Sequence, residues 1–355
     1  MKKLVTVIII MVAATFIIQS CKKNSSTADF NADKTQLSIQ IDSATALYNS
    51  STEGKQAGQY SVGSKEALDS VITLALGVKN GTTFTQQQVN NATANLERAE
   101  ATFKTKLIQQ VSAANLVAYW KFTGNANDSS GNGHNGTLQT NYVGTSAATA
   151  VDGNTLPVLT TDRYGNANSA YYFNNGAYIE IPYDASLHPS NFTITCWVKP
   201  TVASAGNYIF SVDHYYGYKF QLQNNNFPFL TVSTDQGIFD TDDSPGIGPY
   251  NGTVQLNTWM QIAASYTSGS EKFYINGVLQ KDAVVNGNLA PLKTIVNACI
   301  GNELPKSAYN FTDTTNPDYF YGASYFQGSI DDVRLYNIVL SDSQVGSLYV
   351  MESPN

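Results

Sequence analysis

The sequence is short of the residues on which many enzyme and metal sites depend. Its 355 residues include three His and three Cys, and 13% of the chain is charged. The histidines His134, His188 and His214 are far apart and lack zinc-ligand spacing. No G-x-S-x-G motif is present to place a nucleophilic serine on a strand-to-helix turn. These absences argue against a zinc enzyme and against an α/β-type serine hydrolase.

Positive charge is also scarce. The chain has 20 Lys and Arg against 27 Asp and Glu, a formal charge of −7. Removing an N-terminal leader that contains Lys2 and Lys3 would change the charge to −9. Neutralising nucleic-acid phosphates requires clustered basic side chains, so we expect no nucleic-acid partner. A polybasic membrane contact is disfavoured for the same reason, and membrane attachment would depend on a lipid alone.

The long apolar run of the chain lies at its N-terminus, in MKKLVTVIIIMVAATFIIQSC. Two lysines precede the run, no stop-transfer pattern follows it, and Cys21 comes after the small residue Ser20. The segment is similar to bacterial lipoprotein signals, in which such a cysteine becomes the lipidated N-terminus. The resemblance implies a signal peptide over residues 1–20, a lipid on Cys21, a tether over residues 21–32 and attachment to the outer membrane of a bacterial envelope. A plain secretion signal and a membrane anchor are the alternatives.

Residues 33–111 have the periodicity of amphipathic helices. Thr85 and Gln88 have the spacing of a capping box, and Ser64 is a second candidate N-cap. Such helices bury their apolar stripes against one another, so the sequence predicts a three-helix bundle. The apolar residues that recur at spacings of three and four are Leu37, Ile41, Ala44 and Tyr48, then Leu68, Val71, Ile72, Ala75 and Val78, then Val89, Ala92, Leu96, Ala99, Phe103 and Leu107.

From residue 112 to residue 355 the pattern is typical of β-structure. Short runs rich in Tyr, Phe, Thr, Val and Ile alternate with Gly and Asn clusters, and Asn276-Gly277 is a strong hairpin signal. We predict a mainly β fold, a two-sheet antiparallel jelly-roll sandwich. Cys196 and Cys299 lie in apolar strand-like runs, which leaves both buried thiols and a disulfide open.

Two family resemblances support this division. YSVGSKEALDSVITLA and FTQQQVNNATANLERAEATF resemble the helical module called "found in various architectures" (FIVAR), which implies a spacer or, alternatively, a ligand-binding module. LVAYWKFTGNANDSSGNGHNGTL, AYYFNNGAYIEIP, FTITCWVKP, LNTWMQIAASYTSGSEKFYINGVLQ and FQGSIDDVRLYNIVLSDSQVGSLY together resemble the laminin G-like, concanavalin A-like lectin/glucanase jelly roll. That fold hosts lectins, hydrolases and adhesion modules, so the resemblance leaves the function open.

The second resemblance implies a structural calcium ion between the loop after the first strand and the C-terminal strand. In NDSSGNGHNG, the oxygen-bearing residues Asp128, Ser130 and Asn132 alternate, and Gly133 lies in a turn whose carbonyls are further candidate ligands. Asp331 would join them from the segment GSIDDVRLYN. The alternatives are that Asp128 starts an Asx-turn and that Asp331 caps backbone amides or pairs with Arg334 or Lys121.

Regular strand alternation assigns the two adjacent carboxylates of GSIDDVRLYN to opposite faces. By parity, Asp331 shares the apolar face of Val333 and Leu335, whereas Asp332 faces outward and is dispensable. A carboxylate on an apolar face requires a neutralising partner. The resemblance to the concanavalin A-like jelly roll implies calcium as that partner.

The sequence favours binding over catalysis. Hydrolases of the resembled superfamily carry paired Glu on one strand, and no E-x-D-x-x-E triplet is present here. Two loops are rich in aromatic residues, whose rings stack on the C–H faces of sugars. We therefore predict a non-catalytic, lectin-like protein that binds a polysaccharide or another glycan, with an adhesion protein that binds a protein partner as the alternative. The candidate ligand contacts are Tyr215 and Tyr216 in the first loop and Asp318, Tyr319, Phe320 and Tyr321 in the second.

Overall fold

The computed structural model describes residues 31–242 and 252–354. The predicted signal peptide, Cys21 and the tether as far as residue 30 lie outside the described residues. Within the two described ranges, no helix is both long and apolar enough to cross a membrane. The described chain divides into an N-terminal helical unit and a larger β-sandwich.

The helical unit has the three predicted helices. Their apolar stripes meet in one core, which contains Leu37, Ile72 and Phe103. The bundle predicted from periodicity is therefore present. The helices are α1 (Thr35–Ser50), α2 (Ser64–Asn80) and α3 (Gln86–Lys104), and a fourth, α4 (Asp342–Glu352), ends the chain.

The two predicted helix caps have different outcomes. Thr85 and Gln88 form the predicted capping box at the start of α3. The prediction of Ser64 as an N-cap is wrong, because Gly63 takes that position with a φ of 88° and the helix begins at Ser64 itself. The Ser64 hydroxyl donates instead to the carbonyl oxygen of Ser61 at 2.6 Å. A glycine takes this left-handed position without a steric penalty.

Apart from short 3-10 turns, the remaining regular structure of the described chain is β. The predicted two-sheet antiparallel sandwich is confirmed, with β1 and β2 as a short pair in the helical unit. The strands are β1 (Glu53–Gly54), β2 (Tyr60–Ser61), β3 (Leu116–Trp120), β4 (Thr137–Thr140), β5 (Tyr142–Val143), β6 (Val151–Asp152), β7 (Val158–Thr160), β8 (Ala170–Phe173), β9 (Ala177–Ile181), β10 (Phe192–Pro200), β11 (Asn207–Val212), β12 (Tyr218–Leu222), β13 (Pro228–Thr234), β14 (Gly237–Asp242), β15 (Met260–Thr267), β16 (Ser270–Ile275), β17 (Val278–Ala283), β18 (Ala298–Ile300) and β19 (Gly328–Tyr336).

Two large sheets face each other across the main hydrophobic core. The first has the order β17-β16-β15-β10-β19-β8-β7, with β3 also paired to β19, and the second has the order β14-β13-β12-β11-β18-β9-β4. Alternation along β10 places Ile194, Cys196 and Val198 in the core, as their spacing predicts. The turn between β16 and β17 is Asn276-Gly277, and both residues have positive φ, which is typical of a type I′ hairpin.

Both cysteines of the sandwich are buried free thiols. Cys196 points into the core from β10 in the first sheet. Cys299 lies on β18 in the second sheet, between the core residues Ala298 and Ile300, and so faces away from the core. The second sheet therefore separates the two sulfur atoms, and no disulfide forms.

Helix α4 covers the outer face of the first sheet. Val345 and Leu348 of α4 pack there against Ala263 and Tyr274 in a second small core. The helical unit also contacts this helix, because the Gln109 amide donates to the Ser347 hydroxyl at 2.8 Å. Residues that alternation would leave on a solvated face are therefore buried beneath the C-terminal segment.

Candidate functional site

A bulge in β19 decides where the two adjacent carboxylates point. Thr195 pairs with Arg334 and Trp197 pairs with Asp331, so β19 has one more residue than β10 between these pairs. Asp332 has a φ of +50° at this bulge. Ile330 and Val333 consequently both face the core, and Asp331 faces the opposite side. The prediction that Asp331 shares a face with Val333 and Leu335 is wrong, as is the prediction that Asp332 faces outward, because Asp332 is buried.

Arg163 neutralises both carboxylates. Its Nη1 atom lies 2.6 Å from Asp331 Oδ2, and its Nη2 atom lies 2.6 Å from Asp332 Oδ2. The guanidinium also stacks on the ring of Trp197, 4.6 Å from its centroid. Of the open alternatives for Asp331, neither Arg334 nor Lys121 is its ion-pair partner, whereas a backbone amide, that of Asp332, does bond to it beside Arg163.

The ion pair extends into a buried network that holds the end of α4. Arg334 pairs with Glu352 at 2.7 Å and stacks on the ring of Tyr119. Trp197 donates its indole N–H to Glu352 at 2.9 Å. Arg163 also donates to the main-chain oxygen of Glu352 at 2.8 Å. The network therefore links β10, β19, the loop before β8 and the C-terminal helix.

The two carboxylates have different proton affinities. Burial, together with repulsion from Asp332, raises the pKa of Asp331. Burial also favours the neutral form of Asp332, but Arg334 and Arg163 hold the pKa of Asp332 below its usual value. Asp332 therefore binds a proton less tightly than Asp331, and both carboxyl groups contact Arg163.

The predicted calcium ligands are not brought together. Asp128 accepts hydrogen bonds from the amides of Tyr119, Ser130 and His134 at 2.8–3.1 Å, which gives the Asx-turn alternative. Strand β3 separates this turn from Asp331, because Trp120 bridges to Asp128 on one side and pairs with Val333 on the other.

The rest of the predicted ligand set is also engaged within its own turn. Ser130 donates to Asp128, Asn132 donates to the carbonyls of Leu116 and Val117, and Gly133 takes a left-handed turn position. Among the described residues, no group of three His, Cys, Asp or Glu has metal-binding geometry. The residues do not fit one ion held by Asp128 and Asp331 together, and calcium binding as such stays a prediction.

The two aromatic loops predicted as ligand contacts do come together. His214, in the loop between β11 and β12, is 3% exposed. Its Nε2 atom lies 3.2 Å from the Pro317 carbonyl oxygen and 3.5 Å from Asp318 Oδ1, both in the long loop between β18 and β19. Its Nδ1 atom lies 3.0 Å from Glu303 Oε2. This contact places residues 213–217 beside residues 317–321 at one end of the sandwich.

The aromatic rings of these loops have different environments. Tyr321 is 68% exposed, and its ring lies edge-on to that of Tyr319 with centroids 4.9 Å apart. Tyr216 is half-buried beneath the ammonium group of Lys293, 4.5 Å from the ring centroid. Tyr215 lies between His214 and Lys219. We call Tyr215, Tyr216, Tyr319 and Tyr321 the tyrosine rim.

Two of the predicted ligand contacts have structural roles. Phe320 is buried in an aromatic cluster with Tyr142, Tyr309 and Phe311, and this cluster forms a small core for the long loop. Its ring is therefore not available to a ligand, and its prediction as a contact is wrong. Asp318 is also buried, and its carboxylate faces His214 instead of solvent.

Electrostatics at the rim centre on His214. Burial alone would lower its pKa, but hydrogen bonds to Asp318 and Glu303 raise the pKa of His214 to about 9. Burial opposes ionisation of Glu303, yet His214 holds the pKa of Glu303 below its usual value. Next to them, burial and the nearby Asp318 raise the pKa of Asp213 to about 7. At neutral pH, the loops are therefore joined by an imidazolium between two carboxylates.

Sequence reasoning missed the residues that organise both sites. Arg163 and His214 were not among the candidate contacts, since their partners are 168 and 103 positions away in the sequence. One signal was available for Arg163. The sandwich contains two arginines, Arg163 and Arg334, and guanidinium groups frequently pair with carboxylates.

The chain was compared with known families and proteins. Residues 173–346 match the sequence profile of the family described as the concanavalin A-like lectin/glucanases superfamily. A curated relative, the adhesion G-protein coupled receptor V1 of Danio rerio, is 27% identical over 166 residues, which are 45% of this chain and 2% of the receptor. The surface-layer 125 kDa protein of Lysinibacillus sphaericus is 36% identical over 94 residues, 26% of this chain and 8% of that protein. The chain thus matches less than a tenth of the length of each relative.

Among solved structures, domain 4 of AbnA, a GH43 extracellular arabinanase from Geobacillus stearothermophilus in complex with arabinotriose, is similar with a TM-score of 0.47 and 20% identity. The match covers 66% of this chain and 98% of that domain. The receptor binding domain of botulinum neurotoxin mosaic serotype C/D is similar with a TM-score of 0.45 and 16% identity, over 68% of this chain and 51% of that domain.

Proposed function

We propose that this protein is a non-catalytic glycan-binding protein of the bacterial cell envelope, and that the tyrosine rim makes the contact. The observation that carries the proposal is the convergence of two aromatic loops through His214, which groups four tyrosines at one end of the sandwich. Tyrosine rings offer an apolar face to sugar C–H groups and a hydroxyl to sugar oxygens. The match of residues 173–346 to a superfamily of lectins and glucanases supports a carbohydrate ligand.

The carboxylates of the sandwich support binding without cleavage. Hydrolysis of a glycosidic bond requires two carboxyl groups that face a substrate from opposite sides. Glu180 accepts from Tyr178 and Asn297, Glu303 pairs with His214, and Glu352 pairs with Arg334. These three glutamates are thus engaged in the fold, Glu271 is fully buried, and Asp331 and Asp332 share one guanidinium.

The remaining parts of the chain fit an envelope protein. A lipid on Cys21 would anchor the chain, and the helical unit would hold the sandwich away from the membrane as a spacer. The names of the two curated relatives, an adhesion receptor and a surface-layer protein, also refer to the cell exterior. Because of these names, an adhesive role towards another protein is the alternative function.

A glycan array tests this proposal. The chain without residues 1–21 should bind at least one polysaccharide or oligosaccharide, with a dissociation constant of roughly millimolar to micromolar, about −4 to −8 kcal/mol. Incubation with the bound glycan should release no reducing ends. Reducing-end release would show an enzyme, and an empty array together with capture of a defined surface protein would favour the adhesive alternative.

A further inference from the structure

His214 occupies a position that the tyrosine rim depends on. It is the second residue after β11, and both it and the intervening Asp213 have positive φ, +22° and +53°. Non-glycine residues adopt this conformation at a cost in free energy, so surrounding contacts must hold them there. The contacts of His214 to Glu303, Pro317 and Asp318 all come from the chain segment after β18.

We propose that His214 is a positioning residue of the tyrosine rim, whose imidazolium joins the two loops in the arrangement that binds glycan. The proposal rests on the proposed function and names how its site is assembled. Both ring nitrogens must carry a proton to donate to Glu303 on one side and to the Pro317 carbonyl, beside the Asp318 carboxylate, on the other. A neutral ring keeps one donor and loses the other contact. Glycan affinity should therefore fall when His214 loses its proton.

The charged groups around His214 fit this role. Glu303 and Asp318 face its two nitrogens, and Asp213 precedes it in the chain. Lys219 approaches from β12, with its ammonium group 4.2 Å from the Tyr215 ring, and opposes protonation of His214. The two facing carboxylates outweigh this repulsion.

The sign of the pH effect follows from the raised pKa of about 9. The pKa of His214 in the folded protein exceeds the ordinary value of about 6.5. Its stabilisation of the joined loops is therefore complete below pH 6.5. The contribution is lost as the pH rises through about 9. Asp213 belongs to the same cluster and has a pKa of about 7, so it loses its proton at a lower pH than His214. The variant Asp213→Asn removes this titration and leaves that of His214.

His188 provides a matched control. It is also a partly buried histidine of the sandwich, but it stacks on Tyr218, and its Nε2 atom has no hydrogen-bond partner among the described residues. Burial lowers the pKa of His188 to about 4, so it stays neutral throughout the alkaline range. Loss of a buried imidazole can thus be compared at two sites, one of which touches the rim.

The experiment measures glycan affinity against pH for the wild-type chain and for His214→Gln, His188→Gln and Asp213→Asn. The glycan is the tightest binder from the array. Between pH 7 and about pH 9.5 we expect the wild-type affinity to fall about tenfold, the factor for one charged hydrogen bond. His214→Gln should already be weak at neutral pH and show no such fall. His188→Gln and Asp213→Asn should keep the alkaline fall.

Two results would overturn the proposal. One is wild-type affinity in a folded His214→Gln variant, and the other is an unchanged alkaline fall in that variant. If His214→Gln does not fold, as judged by circular dichroism, Asp318→Asn takes its place. This variant removes one of the two facing carboxylates, so the alkaline fall should begin at a lower pH.

A second measurement does not need a glycan. Hydrogen exchange of residues 309–326 in the free protein, expressed as protection relative to the unstructured chain, should fall in His214→Gln and not in His188→Gln. An empty glycan array with this loss of protection would reject the proposed function and keep the role of His214 in joining the loops. Binding that persists with unchanged protection would reject the role of His214 and keep the function.

Discussion

Arg163 and Asp331 form an ion pair with a nitrogen–oxygen distance of 2.6 Å, although 168 positions separate them in the sequence. The pair is buried, and the same guanidinium reaches Asp332. Strand β19 pairs with β8 as far as Ile330 and with β3 from Val333 onward. The two carboxylates lie in the interval between these pairings, where the loop before β8 brings Arg163 to them.

Removing this arginine should be costly. Arg163→Met leaves two buried carboxylates without their shared partner, so we expect a loss of about 3–5 kcal/mol in the free energy of unfolding, measured by urea denaturation. Lys306→Met is the control. Lys306 pairs with Asp152, which is largely exposed, and this change should cost at most about 1 kcal/mol. Equal effects of the two substitutions would show that the buried ion pair contributes no more to the free energy of unfolding than the exposed pair does.

Calcium should have no effect on the melting temperature if Arg163 is the partner of Asp331. An ion bound only to the folded state at a hundredfold excess over its dissociation constant would add about 2.7 kcal/mol. Differential scanning calorimetry in calcium and in a chelator should give the same curve. If calcium raises the melting temperature and Asp128→Asn abolishes this increase, the result would support the predicted calcium site.

Glu271 should make the fold sensitive to pH. It points into the core from β16 with no exposed surface, so its carboxyl group is removed from water. Burial raises the pKa of Glu271 to about 8. The unfolded chain releases this proton near pH 4.5, so stability should fall as the pH rises from there to about 8.

Glu271→Gln removes this dependence. The variant should be about as stable as the wild type at pH 4 and more stable at pH 8, by on the order of 3 kcal/mol. Glu180→Gln is the control, because Glu180 lies on the outer face and is hydrogen-bonded to Tyr178 and Asn297. Parallel profiles of stability against pH for Glu271→Gln and the wild type would contradict the assignment of this pH dependence to Glu271.

The capping box of α3 should contribute a measurable amount to the helical unit. Thr85→Ala removes the acceptor for the Gln88 amide, and we expect a loss of about 1 kcal/mol. Thr83→Ala, an exposed threonine two residues earlier, should change the free energy of unfolding by less than about 0.5 kcal/mol. Thermal unfolding followed by circular dichroism measures both variants. Equal effects would show that the capping box does not stabilise α3.

Local signals predicted the elements that depend on neighbours in the chain. The Asn276-Gly277 turn, the Thr85 cap and the alternation of β10 are each determined by a few consecutive residues, and the structure has all three. The facing of β19 was predicted wrongly because a single bulge at Asp332 reverses the alternation, and neither glycine nor asparagine marks that position.

The candidate site was predicted only in part, and the reason differs from the one that applies to β19. Aromatic composition identified both loops, and their convergence depends on contacts between His214 and residues about a hundred positions later. Composition also could not separate Phe320, which faces the small core of the loop, from Tyr321, which faces solvent. Which rings are available is decided by tertiary packing.

Glycan affinity of the double variant Tyr319→Ala, Tyr321→Ala tests the proposed site most directly. Isothermal titration with the tightest array ligand should show binding to the wild-type chain and none to the double variant, with the same melting temperature for both. Tyr164→Ala, which removes an exposed tyrosine beside Arg163, should bind as the wild type does. Undiminished binding by the double variant would contradict the assignment of the site to the tyrosine rim.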